Sequence, residues 1–291
     1  GYHCGKNTGF YPCRGTEGLK YCRIIFFEIE VRCIVRYLLI IKYDGTRYHG
    51  WQVQKNALAV QAVVQNALGA VLGTPPDVTG CSRTDSGVHV NMYCCHFDTD
   101  KLIPERNMIL AVNRALPDDI SAYGCKAVDS SFHARYSATG KQYIYRFFNS
   151  PYRDAFLEQY TYRVFSHMDE ALMNKAAAEM VGTYDFSSFC SVNAKEGSKV
   201  RTVSRAQVVR EGQSVTFITE ADGYLYNMVR IMAGTLLRVS EGKIAPGDIK
   251  GIIESKNRQL AGPTLPAKGL FLNRVFYPEF SSGFGGESIG R

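Results

Sequence analysis

The residues best suited to chemistry lie in the stretch Gly80-Cys81-Ser82-Arg83-Thr84-Asp85-Ser86-Gly87-Val88-His89. It sets an Arg, a Thr and an Asp between two glycines, with a His just beyond. Glycines at both ends read as a tight loop with unusual backbone angles. Residues 77–81 before it and 90–97 after it are apolar and read as strands. An ionisable side chain on a short loop between rigid strands is held where catalytic groups are often held. Taken alone, the same residues also fit a polar hairpin turn in which Asp85 caps the backbone. Other groups could join Asp85. Tyr143 and Tyr145 share one face of a strand by the two-residue period. Arg230 stands at the start of an otherwise apolar helix. There it is either a solvated helix-start arginine or a guanidinium partner for a carboxylate, a pairing that planar geometry favours.

A lone carboxylate with arginines and aromatics suits chemistry at a sugar carbon, where Asp acts as nucleophile or base. The chain has no P-loop, no GxGxxG and no Ser/His/Asp or Cys/His constellation. His89 and His96 read as structural. The nine cysteines include no CxxC pair, and zinc sites want paired ligands at short spacing. The expectation is therefore no metal, no small-molecule cofactor and free thiols in a reducing cytosol.

These groups must be carried by a framework, and the chain supplies one twice. Residues 37–43 (YLLIIKY) form an apolar, β-branched strand ended by Asp44-Gly45-Thr46. Val60, Val63, Val64, Ala67, Leu68, Val71 and Leu72 fall on one face of a helix closed by Gly73. The two strands around the Asp85 loop follow. A helix from Pro104 to Ala115 and a strand over 120–128 complete a βαββαβ order. The order then repeats: strand 141–148, helix 168–181, strands 202–210 and 214–221, helix 227–239 with a short extra helix at 246–255, and strand 269–276. The repeat is one of topology and not of residues. The expected fold class is α+β: two ferredoxin-like units joined into one extended, mainly antiparallel sheet. Helices would cover one face and leave the other as a concave cleft of the kind that binds RNA. The units are expected at 35–136 and 137–280, with 281–291 as a flexible tail. Residues 1–34 show neither alternation nor helical spacing, and are expected to stand outside the folded domain.

Of the 291 residues 45% are hydrophobic and 21% are charged, and the net charge is +7 with a pI near 8.9. The basic excess favours a polyanionic partner. No run of 18 apolar residues occurs, so no membrane-spanning helix is expected. No leader pattern is visible either, and the chain reads as cytoplasmic.

With these motifs in view, the chain resembles the tRNA pseudouridine synthase A family. Residues 80–90 are similar to the family's catalytic loop. Tyr43-Asp44-Gly45-Thr46 with Gly50-Trp51-Gln52 resembles its first signature. Phe132-His133-Ala134-Arg135, Ser137-Ala138 and Lys141-Gln142-Tyr143-Ile144-Tyr145 resemble its second. Gly182 with Asp185-Phe186 and Ser188-Phe189, then Met228-Val229-Arg230, then Lys268-Gly269-Leu270 supply three more. The family loop usually reads Gly-Ala-Gly-Arg-Thr-Asp-Ala-Gly, whereas this chain has Cys81, Ser82 and Ser86 at the small-residue positions.

The resemblance implies isomerisation of uridine to pseudouridine at positions 38 to 40 of the tRNA anticodon stem-loop, by a homodimer without cofactor or metal. Asp85 would be the catalytic carboxylate, Tyr143 would pack on the target base, and Arg230 would hold Asp85. The base must leave the helix stack before it can react. Arg83 would fill the space it vacates, and Arg135 and Lys141 would contact phosphates. Two other readings stay open: an RNA-binding protein without catalysis, and a pseudouridine synthase with other RNA targets. A carboxylate-dependent sugar hydrolase would want a second carboxylate close by, and none is near in sequence.

Overall fold

A computed structural model of the chain describes residues 34–192 and 197–280; all but the last residue of the expected N-terminal extension, and the whole expected C-terminal tail, lie outside the described residues. The described elements are strands β1 (Val35–Tyr43), β2 (Thr79–Gly80), β3 (His89–Thr99), β4 (Ile120–Val128), β5 (Gly140–Asn149), β6 (Tyr162–Val164), β7 (Gly182–Asp185), β8 (Val200–Glu211), β9 (Ser214–Ala221) and β10 (Leu270–Phe276). The helices are α1 (Val60–Leu72), α2 (Glu105–Ala115), α3 (Glu170–Ala178), α4 (Met228–Ser240) and α5 (Ile249–Ser255).

All ten strands belong to one sheet with the path β4-β1-β3-β10-β5-β9-β8-β7; β2 pairs with β3, and β6 with β5. Both expected units can be traced in it. The first has the order β4-β1-β3-β2, and the second β10-β5-β9-β8. They join where β10 runs parallel to β3, with Phe271 opposite His89 and Leu272 opposite Val90. The other neighbours along this path are antiparallel.

The central strands are apolar on both faces because both are covered. Leu38 to Ile41 are fully buried, as are Tyr93, Cys94 and Cys95. Helices α1 to α4 cover one face. On the other, residues 129–139 and 277–280 lie across β3, where Tyr277 donates to the Ala134 carbonyl and the Ala134 amide donates to His96 Nδ1.

The strand expected over 77–81 is shortened to Thr79–Gly80. β3 offers one free edge, and β10 occupies its beginning. That leaves β2 only the part opposite Cys95 and His96. The chain departs from the sheet directly after Cys81, whose amide still donates to the Cys94 carbonyl. The helix expected over 168–181 is also shorter. The Asp169 side chain caps its start by accepting from the Leu172 amide, and Gly182, at φ 137°, begins β7. Strands β6 and β7 were not foreseen. Both are short additions outside the two units, one beside β5 and one at the sheet margin.

Candidate active site

The loop 81–88 is held by bonds from several elements. The Tyr43 hydroxyl at the end of β1 lies 2.8 Å from Thr84 Oγ1, both buried. The Thr84 carbonyl accepts from the Trp51 amide, and Gly87 donates to the Tyr48 carbonyl. Tyr93 of β3 donates to the Ser82 carbonyl. Gly50, at φ 85°, sits so close that a Cβ there would lie 2.3 Å from the Thr84 carbonyl oxygen. The segments after β1 thus serve as the bed of the loop. Between these fixed points Asp85 is left partly exposed, facing a cleft of about 600 Å³.

Arg230 stands across from it, with Nη1 3.6 Å from Asp85 Oδ2. The guanidinium is half-buried at the first turn of α4. Its Nε donates to the Leu265 carbonyl at 2.6 Å, and Nη1 donates to Asn227 Oδ1 at 2.7 Å. The carbonyl of Leu265 can reach it because α4 and the segment 261–266 pack backbone to backbone. A Cβ on Gly234 would lie 2.0 Å from the Pro263 carbonyl oxygen, and Thr235 Oγ1 accepts from the Gly262 amide. Of the two situations open to Arg230, the structure shows the partnered one.

Tyr143 of β5 forms another wall. Its ring meets Tyr224 edge-on at 5.0 Å between centroids, and its hydroxyl lies 3.3 Å from Ser82 Oγ. Burial pushes its hydroxyl well above the ordinary tyrosine range, and the charge of Asp85 acts in the same direction. A neutral phenol offers a base its aromatic face and a hydrogen-bond donor. Tyr145, two residues on, shares the face but not the cleft: it is fully buried and donates to the Pro266 carbonyl. His89 and His96 are also buried. Their rings accept from the Gly45 and Ala134 amides, which fits the structural role expected of them.

Arg83, Arg135 and Lys141 all line the cleft. Arg83 and Arg135 are exposed, and Lys141 is half-buried. No ion pair holds any of them among the described residues. Burial lowers the pKa of Lys141, and nearby Arg135 lowers it further, while Cys81 opposes this. Positive charge in a cleft attracts a polyanion. Arg135 also lies over the ring of Tyr136.

The structure thus brings Asp85, Arg83, Arg135, Lys141 and Tyr143 to one cleft, with Arg230 behind Asp85. It adds Tyr136, Arg201, Asp222, Tyr224, Tyr226 and Asn227. No spacing in the sequence pointed to these, because they come from strand ends and turns roughly 50 to 140 residues from the loop. Asp222 is the cleft's other carboxylate; its Oδ1 accepts from the Thr202 amide, and the residue is exposed.

A family model described as tRNA pseudouridine synthase matches residues 39–137 and 176–278. The chain belongs to the tRNA pseudouridine synthase family. The matched segments carry Arg83, Asp85, Arg135 and Arg230, while Lys141 and Tyr143 fall in the interval between them. The chain is 46% identical over 239 residues to the tRNA pseudouridine synthase A of Acetivibrio thermocellus, and 45% identical over 239 residues to that of Clostridium acetobutylicum. Each match covers 82% of this chain and 98% of the relative. It is 42% identical over 248 residues to the enzyme of the same name from Exiguobacterium sibiricum, covering 85% of this chain and 99% of that one. Membership makes the chain an enzyme of the isomerase class. No helix among the described residues is long and apolar enough to cross a membrane.

Proposed function

We propose that this enzyme converts uridine to pseudouridine at positions 38 to 40 in the anticodon stem-loop of tRNA, and that Asp85 carries the chemistry. The observation that supports this most directly is the setting of Asp85. It is a partly exposed carboxylate on a loop braced by β1 and β3, with Arg230 at 3.6 Å behind it and the cleft in front. In the isomerisation the N1–C1′ bond breaks, the uracil turns in place, and a C5–C1′ bond forms. The C5 proton leaves and N1 gains one, so no net proton is taken up. Asp85 as a nucleophile at C1′ and Asp85 as a base toward a sugar proton both need an ionised carboxylate, which a guanidinium favours.

The remaining residues fit roles around that step. Tyr143 packs on the target base as a neutral aromatic. Arg230 holds the anion. Arg83, exposed on the same loop, occupies the space that the extruded base leaves. Extrusion costs a few kcal/mol, less near a loop. Arg135 and Lys141 contact phosphates, which makes binding salt-dependent. Catalysis takes place in the cytoplasm, by a homodimer. The cleft favours this reading over RNA binding without catalysis, because a binding surface gains nothing from a carboxylate among phosphates. It also favours it over sugar hydrolysis, since Asp222 is tied to the end of β8 by the Thr202 amide.

The test is incubation with unmodified tRNA, followed by carbodiimide modification and primer extension. Product at positions 38 to 40 is expected from the wild type. None is expected from Asp85→Asn, which should still bind tRNA. Unchanged product from Asp85→Asn overturns the assignment, and product at other positions overturns the target.

A further inference from the structure

Tyr136 is 75% exposed, yet the backbone beneath it is tightly bound. The turn that carries it is closed at both ends. The His133 amide donates to Ser137 Oγ at 3.0 Å, and the Ser137 amide donates to the His133 carbonyl at 2.9 Å. Inside the turn the amides of Arg135 and Tyr136 both donate to His133 Nδ1, at 3.1 and 3.2 Å. Ala134, fully buried, ties the turn to His96 of β3 and to Tyr277. The Tyr136 ring is the top of a column. It lies on the His133 ring with 4.4 Å between centroids and 33° between planes, and His133 meets His96 edge-on at 5.0 Å. A ring held in this way loses little further freedom when it binds something.

Its place narrows what that something is. Tyr136 lines the same cleft as Arg83, Arg135 and Lys141, and the Arg135 guanidinium lies over its ring at 5.5 Å from the centroid. An aromatic face beside an arginine, among other cations, is the chemistry that holds an unstacked nucleobase and its phosphate. Tyr143 is only 6% exposed. The cleft therefore offers two aromatic surfaces, one recessed in its wall and one at its rim, and a single extruded uridine occupies only one of them. We propose that Tyr136 is a stacking platform for a second nucleobase of the RNA, an unpaired neighbour of the target uridine whose phosphate meets Arg135. Extrusion of the target strips that neighbour of a stacking partner, and the ring replaces it. Stacking reads no base edge and accepts any base. That suits action at three successive positions, where the neighbouring base differs from one site to the next.

This inference rests on the tRNA reading above, with Tyr143 taking the target base. The test is filter binding of unmodified tRNA to the full chain, in an Asp85→Asn background so that the RNA is not converted. The ring is mostly in water, so substitutions of Tyr136 leave the fold in place. Tyr136→Ala is expected to weaken binding roughly five- to a hundredfold. Tyr136→Phe, which keeps the ring, should bind within about threefold of the parent. Tyr136→Leu, which keeps apolar bulk without a ring face, should lose at least about fivefold. The same measurements are then made on tRNAs that carry one abasic nucleotide, placed in turn at each position flanking the modified uridine, as located by primer extension. At one of these positions the abasic RNA should itself bind more weakly, and Tyr136→Ala should then add less than about twofold. A loss below about fivefold for Tyr136→Ala, a Tyr136→Leu variant that binds like the parent, or an undiminished effect of Tyr136→Ala on every abasic tRNA overturns the proposal. Failure of the functional reading is distinct: turnover is not read here, and in that case Asp85→Asn itself keeps full activity.

Discussion

Gly50→Ala is expected to damage stability and rate together. Gly50 has φ 85° and touches the loop that carries Asp85. An L side chain in left-handed backbone costs about 1–2 kcal/mol. The new Cβ would lie 2.3 Å from the Thr84 carbonyl oxygen and 3.2 Å from the Asp85 carbonyl carbon. Relieving that contact requires the two backbones to separate by about 1 Å, an overpacking that adds about 1–3 kcal/mol. The total is about 2–5 kcal/mol. At about 2–4 °C per kcal/mol for a unit of this size, the melting temperature falls by roughly 4–20 °C. The displacement also acts on the hydrogen bond from the Trp51 amide to Thr84 and moves Asp85 relative to Arg230. A shift of this size costs up to about a hundredfold in rate. The control is Gly242→Ala, since Gly242 has φ 69° but nothing within 4 Å of the new atom. It should lose only the conformational 1–2 kcal/mol and leave the rate intact. Urea denaturation followed by circular dichroism gives the stabilities, and single-turnover assays on tRNA give the rates. If Gly50→Ala is no less stable than Gly242→Ala and turns over like the wild type, the view of the β1 turn as the bed of the catalytic loop is refuted.

Tyr43→Phe removes the partner of the buried Thr84 hydroxyl, and should cost about 1–3 kcal/mol of stability in urea unfolding. Tyr43→Phe with Thr84→Val should recover part of that loss, because neither hydroxyl is then left unmet. Lys141→Ala is expected to lower the slope of log K against log salt for tRNA binding by about 1, measured by filter binding from 50 to 200 mM salt. A parallel shift with the same slope would remove Lys141 from the phosphate contacts. His96 is buried, and its pKa is pushed down to about 4 by burial first, then by Arg36 and His133. Since the folded value lies below the unfolded one of about 6.5, His96 stabilises the fold fully above pH 6.5. That contribution, on the order of 3 kcal/mol, is lost as the pH falls toward 4. His96→Gln should flatten the pH dependence of the urea midpoint in that window, and an unchanged dependence would show that other groups cause it.

The sequence by itself determined the elements and the chemistry available. Alternation and helical spacing are local properties, set by which face of a strand or helix must leave water. They were enough to order both βαββαβ units, while the residue types of the glycine-flanked loop and the family resemblance made Asp85, Tyr143 and Arg230 the candidates. Departures such as the shortening of β2 came from competition for one edge of β3, and nothing within residues 77–81 records that competitor. The neighbours of the site were equally hidden. The sequence could not choose between a solvated Arg230 and a partnered one, because its partners, Asn227, Leu265 and Asp85, meet only when α4 packs against residues 261–266 and β10 joins the two halves of the sheet. Tyr143 and Tyr145 looked equivalent by period, yet only one reaches the cleft, because the Pro266 carbonyl and Gly269 close over the other. Residue type and period set what a side chain can do. Which polar groups it faces, and at what distance, is decided by contacts between segments far apart in the chain, and therefore by the tertiary structure alone.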